Sequence, residues 1–264
     1  MEKQNNVSEE EQEKKDKVTK NRSGVRLVSV VITFILFFVL GFGFRALFWS
    51  EHGTKDEDIE ECTGEETYYN GNMVDGKPVI YLYSDEDNKE VSVSLDTDFE
   101  ITCEYPKRQN GVWKVRANKD GILRDELGIE YNYLYWEGLS NKEYDFSTGF
   151  CIKGSDSAEF LESSLAQLGL SREEANEFIV YWLPILEANK YNLISFQTTE
   201  YTDRYKLGIE PSADNVLRVF MAVKGLDEPT EITRQDLDSV RGDFVREGFC
   251  VVEWGGSVID GRVR

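Results

Sequence analysis

The chain has 264 residues, 30 Lys+Arg against 50 Asp+Glu for a formal charge of −20, and one histidine. An acidic balance of this size speaks against nucleic acid, anionic headgroups and anionic wall polymers as partners, and equally describes a surface that keeps a domain soluble. The single imidazole, at His52, lies outside the folded part read below, so a Ser-His-Asp triad, a Cys-His dyad, a histidine-rich zinc site and a histidine base all lack their central group.

Residues 1–26, rich in Glu, Lys, Gln, Asn and Ser, read as a disordered tail. Between Arg26 and Arg45 lie 18 residues without a charge. As a helix such a run spans roughly 27 Å, close to a hydrocarbon core of about 30 Å. Val28, Ile32, Ile35, Phe38 and Phe42 leave no polar face, which favours a transmembrane helix over 27–49 above a soluble core helix. Gly41 and Gly43 offer a signal-peptidase pair, but the polar leader and the length of the run favour an uncleaved anchor. Lys14, Lys15, Lys17, Lys20, Arg22 and Arg26 precede the run and acids follow it, so the expected topology keeps the N-terminus in the cytoplasm and places the main domain outside, in a single-pass membrane protein.

Residues 50–70 form an acidic linker, and 71–264 the extracytoplasmic domain. Residues 1–50 hold eight Lys+Arg and six Asp+Glu, which leaves 22 against 44 in residues 51–264. Strand signals come first: KPVIYLY (77–83), EVSVSL (90–95) with period-2 alternation, FEITCEY (99–105), VWKVRA (112–117) and YNYLYWEG (131–138). Asn118-Lys119-Asp120-Gly121 predicts a hairpin turn. Asp156 with Glu159 and Ser171 with Glu174 predict capping boxes that open two helices joined at Gly169, the second ending or kinking at Pro184. Strands return at NLISFQ (192–197), RYKLGIEP (204–211), VLRVFMAV (216–223) and GFCVVEW (248–254). The expected class is α+β: a mostly antiparallel sheet with a packed helical hairpin, preceded by one transmembrane helix.

Cys62, Cys103, Cys151 and Cys250 all follow the apolar run. An even count outside the cytoplasm permits two disulfides; apolar surroundings of the last three fit buried thiols equally well. No CxxC or Cys/His cluster suggests a metal, and nothing suggests a cofactor. Asp85, Asp87 and Asn88 lack the Gly and distal Glu of an EF-hand loop and read as an acidic turn.

KPVIYLY, YLYWEG, FIVYWLPILEANKYNLISFQ and VVEWGG together resemble a family of uncharacterised proteins with a KPVIYLY(P)-type first strand, over most of residues 77–256. Ser84 stands where that pattern has Pro. The resemblance implies a shared α+β module and no activity.

GxSxG, SxxK, Walker A and GxGxxG signatures are absent, which leaves carboxylate chemistry as the enzymatic option. Glu137, Glu177, Glu200 and Glu253 each lie near an aromatic residue. Glu253-Trp254-Gly255-Gly256 reads as a strand end where glycines let backbone approach a ligand. Arg218, the lone charge in VLRVFMAV, needs a carboxylate, with Glu253 or Glu200 as the candidates. Trp136 and Glu137 complete the ligand-binding candidates, and Tyr131, Tyr133 and Tyr135 align on one strand face. The expected role is a binding or interaction module for a protein or glycan partner, the alternative a two-carboxylate carbohydrate-active hydrolase; no catalytic residue is assigned.

Overall fold

A computed structural model describes residues 68–69, 72–140 and 143–259. The tail expected over 1–26, the span over 27–49, most of the 50–70 linker and Cys62 lie outside the described residues.

The expected α+β class with a leading transmembrane helix is corrected. Strand residues outnumber helical ones about two to one, and among the described residues no helix is long and apolar enough to cross a membrane. Two sheets dominate. The larger contains β1 (Tyr68–Tyr69), β2 (Asn72–Tyr83), β4 (Ile101–Tyr105), β8 (Leu134–Ser140), β9 (Thr148–Lys153), β10 (Tyr191–Gln197), β12 (Asn215–Leu226), β13 (Thr233–Arg234) and β14 (Cys250–Val258). Its order is β13-β9-β10-β12-β14-β2-β8-β4, with β1 beside β2, and it is mixed: β12 with β14 and β13 with β9 run parallel. The smaller, antiparallel sheet has the order β11 (Lys206–Glu210), β3 (Lys89–Asp96), β5 (Val112–Ala117), β6 (Leu123–Arg124) and β7 (Glu130–Tyr131).

The alternation of side chains assigns the layers. In β3 Val91, Val93 and Leu95 are buried, and in β5 Trp113, Val115 and Ala117, while Lys114 and Arg116 face solvent. This buried face of the small sheet packs on Ile80, Leu82, Phe220, Ala222 and Val251 of the large sheet. Alternate residues of the same large-sheet strands, Val79, Tyr81, Val219, Met221, Val252 and Trp254, point to the opposite face, where α1 (Ser157–Leu168) and α2 (Arg172–Glu187) cover them with Leu161, Leu165, Phe178 and Trp182. Each large apolar side chain so enclosed contributes about 1.5–3 kcal/mol. Helices thus cover one face of one sheet, and a second sheet takes the place that a helical layer would need in an α+β arrangement.

Local signals are met unevenly. Ser171 and Glu174 form a reciprocal capping box, whereas Asp156 makes no side-chain cap bond. The second helix runs through Pro184 to Glu187. Gly169, at φ 92°, ends the first. Asn118–Gly121 makes the β5–β6 turn, with Gly121 at φ 81°. Gly255 and Gly256 do not end a strand: β14 continues to Val258, and a Cβ on Gly256 would sit 2.6 Å from the Met221 carbonyl and from the Trp182 ring. What approaches the backbone there is an indole. The tyrosine row is also broken, because Tyr131 belongs to the small sheet, Tyr135 to β8 of the large one, and Tyr133 lies between the two.

Candidate functional site

Arg218 and Glu253 are register partners on the parallel pair β12 and β14, on the side facing the small sheet. Arg218 Nε donates to Glu253 Oε2 at 2.5 Å, Nη1 donates to the Tyr205 carbonyl at 2.6 Å, and the guanidinium lies 4.7 Å from the Tyr201 ring centre. Trp136 Nε1 donates to Glu253 Oε1 at 3.2 Å. Burial, the largest single influence, favours the neutral form of Arg218, but the Glu253 charge together with Tyr201 and the hydrogen bonds to both outweighs it and the pKa rises. Glu253, Trp136 and Trp254 have 0% exposure. Of the six ligand candidates, Glu253, Arg218 and Trp136 therefore meet, but inside the core with no access for a sugar or peptide. Trp254 faces the helices, 5.2 Å from the Phe178 ring. Glu200 is exposed on α3 (Thr199–Thr202), and Glu253 is the carboxylate that pairs with Arg218. Glu137 is half-buried and accepts from the Lys77 backbone N–H at 3.4 Å. Glu177 accepts from the Tyr81 hydroxyl at 3.0 Å.

A second buried charge pair went unread in the sequence. Asp75 accepts from the hydroxyls of Tyr144 at 2.7 Å and Tyr205 at 2.6 Å, with Arg204 Nη1 at 3.9 Å. Burial lifts its carboxyl to about 6 despite these partners. Arg204 stacks 4.1 Å from the Tyr144 ring centre. The only signal was an acid two residues before the KPVIYLY run.

Accessible chemistry lies instead on the outer face of the small sheet. Glu210, Ser92 and Lys114 form one cross-strand row, and Glu90, Arg116, Arg124 and Glu130 the next. Arg116 and Arg124 stand directly opposite one another, a repulsive placement relieved by Glu90 at 3.4 Å and Glu130 at 2.5 Å. Two adjoining hollows of about 390 and 430 Å³ open here and share Lys114, Val115, Asp125 and Glu126. Pro106, Val112, Trp113 and Leu127 line the first; Ser92, Arg116, Arg124 and Glu210 line the second.

The loop beside the first hollow is held by one carboxylate. Asp125 Oδ1 accepts from the N–H groups of Leu127 and Ile129, both at 2.9 Å, and Oδ2 accepts from the Tyr131 hydroxyl at 2.9 Å. The Ile129 N–H in particular holds the Asp125 carboxyl below its ordinary range, while burial and then Asp125 push the Tyr131 hydroxyl up to about 12. Gly128, at φ 80°, lets the loop turn. So fixed, the loop leaves Leu127 85% and Ile129 48% exposed, near Tyr105 at 61%. Val180, Val216 and Val245 are the other exposed large apolar side chains among the described residues, so half of that set gathers at this one end.

No protein-family model matches the chain, and no solved structure matches it. A protein of Butyrivibrio fibrisolvens, described as "Uncharacterized protein in bglA 3'region", is 46% identical over 78 residues, 29% of this chain and 78% of that protein. The chain belongs to that protein's family. A 78-residue stretch cannot hold the large sheet, whose strands run from Tyr68 to Val258, so the family likeness covers a part of this architecture. The Butyrivibrio protein's description carries no activity.

Other expectations fall elsewhere on this family member. Cys103, Cys151 and Cys250 are free thiols, on β4, β9 and β14. Three strand steps separate β4 from β14 and β14 from β9, about 14 Å each at about 4.8 Å per step, beyond the roughly 7 Å Cα limit for a disulfide. The acidic turn is used internally: Asp85 pairs with Lys89 at 3.0 Å, and Asp87 accepts from the Lys119 N–H at 3.2 Å.

Proposed function

We propose that this chain is a non-catalytic interaction module that docks a protein partner against the end of the small sheet. The observation that carries the reading is Leu127, an almost fully exposed aliphatic side chain on a loop fixed by Asp125, next to a hollow lined by Pro106 and Val112. A loop already held in place loses little conformational freedom when a partner seats on it, so more of the apolar contact remains as affinity. An aliphatic projection suits a protein surface better than a glycan, which needs a flat exposed ring and convergent polar groups. The hydrolase alternative loses its support because Glu253 is sealed in the core, without the open space between carboxylates that glycoside hydrolysis requires.

Photo-crosslinking tests the proposal. A benzophenone side chain in place of Leu127 in the full chain, expressed in its native cells, is expected to give adducts that one in place of Val180 does not. Equal labelling from both positions, or none from either, removes the assignment of this face.

A further inference from the structure

We propose that the ledge where β8 and β4 emerge from under the helices binds a neutral saccharide, at a site centred on Lys77 and separate from the Leu127 face. The helical layer ends over β2. Among the described residues, none of the large-sheet side chains buried beneath that layer belongs to β8 or β4. Tyr133, Tyr135 and Glu137 are only half-buried there, and Cys103 is exposed. Glu177 and Tyr181 of α2, both half-buried, edge the step down to this ledge.

Lys77 is the unusual residue of the group. Its φ of 50° lies in the left-handed region, which strains a residue that carries a Cβ. It also sits where β2 slips out of register with both neighbours, between Asp75 and Val79 along β8 and opposite Trp254 and Gly256 of β14. A bulge of this kind re-aims a side chain. Here it holds the ammonium 4.9 Å from the Tyr181 ring centre and 5.4 Å from that of Trp254. Among the described residues the ammonium makes no ion pair and no hydrogen bond, although Glu137 is near enough to accept from the Lys77 backbone N–H at 3.4 Å, and it is open to solvent. The Tyr181 hydroxyl is likewise open and without a hydrogen-bond partner among the described residues. The fold holds two donors in place and uses neither.

The acceptors are fixed by tyrosines. Tyr81 donates to Glu177 at 3.0 Å, the Tyr133 hydroxyl bonds the same carboxylate, and the Tyr135 hydroxyl bonds Glu137. Each carboxylate keeps lone pairs for a further donor. Charge then selects the ligand: an anion would face Glu137 and Glu177 on a chain of formal charge −20, and a cation would face Lys77. A neutral sugar meets neither penalty. Its hydroxyls donate to the two carboxylates and accept from Lys77 Nζ and the Tyr181 hydroxyl, while its C–H faces lie on the half-exposed rings of Tyr133 and Tyr135. Groups already held by the fold lose little freedom on binding.

The test is calorimetric titration of the full chain with cellotetraose, xylotetraose and maltotetraose as neutral probes and tetragalacturonic acid as an anionic one. At least one neutral probe is expected to bind, and more tightly than the anionic one. Lys77→Gly is expected to weaken that binding about tenfold with an unchanged circular dichroism spectrum, because glycine adopts this φ without strain. Tyr181→Phe removes a hydroxyl that the fold does not use and is expected to weaken it about fivefold. Absence of binding by all three neutral probes, tighter binding of tetragalacturonic acid, or affinity that survives both substitutions overturns the proposal. The Leu127 contact stands or falls separately, because neither substitution touches its loop.

Discussion

The space between the sheets and the outer face of the small sheet hold the same residue types in opposite circumstances. Inside, Arg218 with Glu253 and Arg204 with Asp75 are sealed, and their hydrogen bonds go to Trp136, Tyr205 and Tyr144. Outside, Arg116 with Glu90 and Arg124 with Glu130 stand in water on a flat strand surface, beside Lys114 and a fixed aliphatic loop. Pairing inside is obligatory, because a lone buried charge is costly, so it specifies how the sheets register and leaves nothing for a ligand. Pairing outside is weak and exchangeable, which leaves those charges free to meet another molecule.

Breaking the interior pair gives the largest expected effect. Glu253→Ala strands the Arg218 guanidinium in the core and should lower stability by about 3–5 kcal/mol in urea unfolding; replacing both residues with Met and Leu should recover most of that loss. Next comes Asp75. Its folded value of about 6 exceeds the ordinary 3.8, so the native chain keeps a proton that the unfolded chain releases between those values. The stability linked to this group is complete below about pH 4 and declines as pH rises to about 6, by about 3 kcal/mol in all. Across that window the wild type should lose stability relative to Asp75→Asn, measured as the difference between their urea midpoints.

Two smaller effects sharpen the contrast. Ser171→Ala removes one half of the capping box and should cost about 1 kcal/mol, while Glu174 keeps its Tyr83 and Arg246 partners. Lys114→Ala, on the outer face, should change stability by no more than about 0.5 kcal/mol. A larger loss at Lys114 would mean that the outer face is structural like the interior.

Local pattern carried the sequence reading a certain distance. The alternation in β3 and β5 appears as buried and exposed faces because period 2 needs no knowledge of the partner strand. That Arg218 needs a carboxylate was readable, since a single charge in an otherwise apolar strand demands one, but only the structure chooses Glu253 over Glu200. The fold class was not readable: TGFCIK (148–153) is too short to announce β9, and no local feature tells that a second sheet, instead of more helices, covers the large one. The glycines after Trp254 misled because a turn and a close-packed indole select the same residue. The outer face was invisible for a different reason. Glu210 joins Ser92 and Lys114 only through the pairing of β11 with β3, segments over a hundred residues apart, and the register that sets Lys114 beside Ser92 and Arg124 opposite Arg116 is fixed by the strand partners.

The neighbours β2 and β14 sit side by side in the large sheet, although one begins at Asn72 and the other closes at Val258. During synthesis, the first of these strands is complete at Tyr83 and must therefore wait until Cys250–Val258 is made before its companion exists. Until then Ile80 and Leu82 have an open edge beside them, and the half-made product is a substrate for chaperones and proteases alike. The large sheet can therefore close only after β14 has been made.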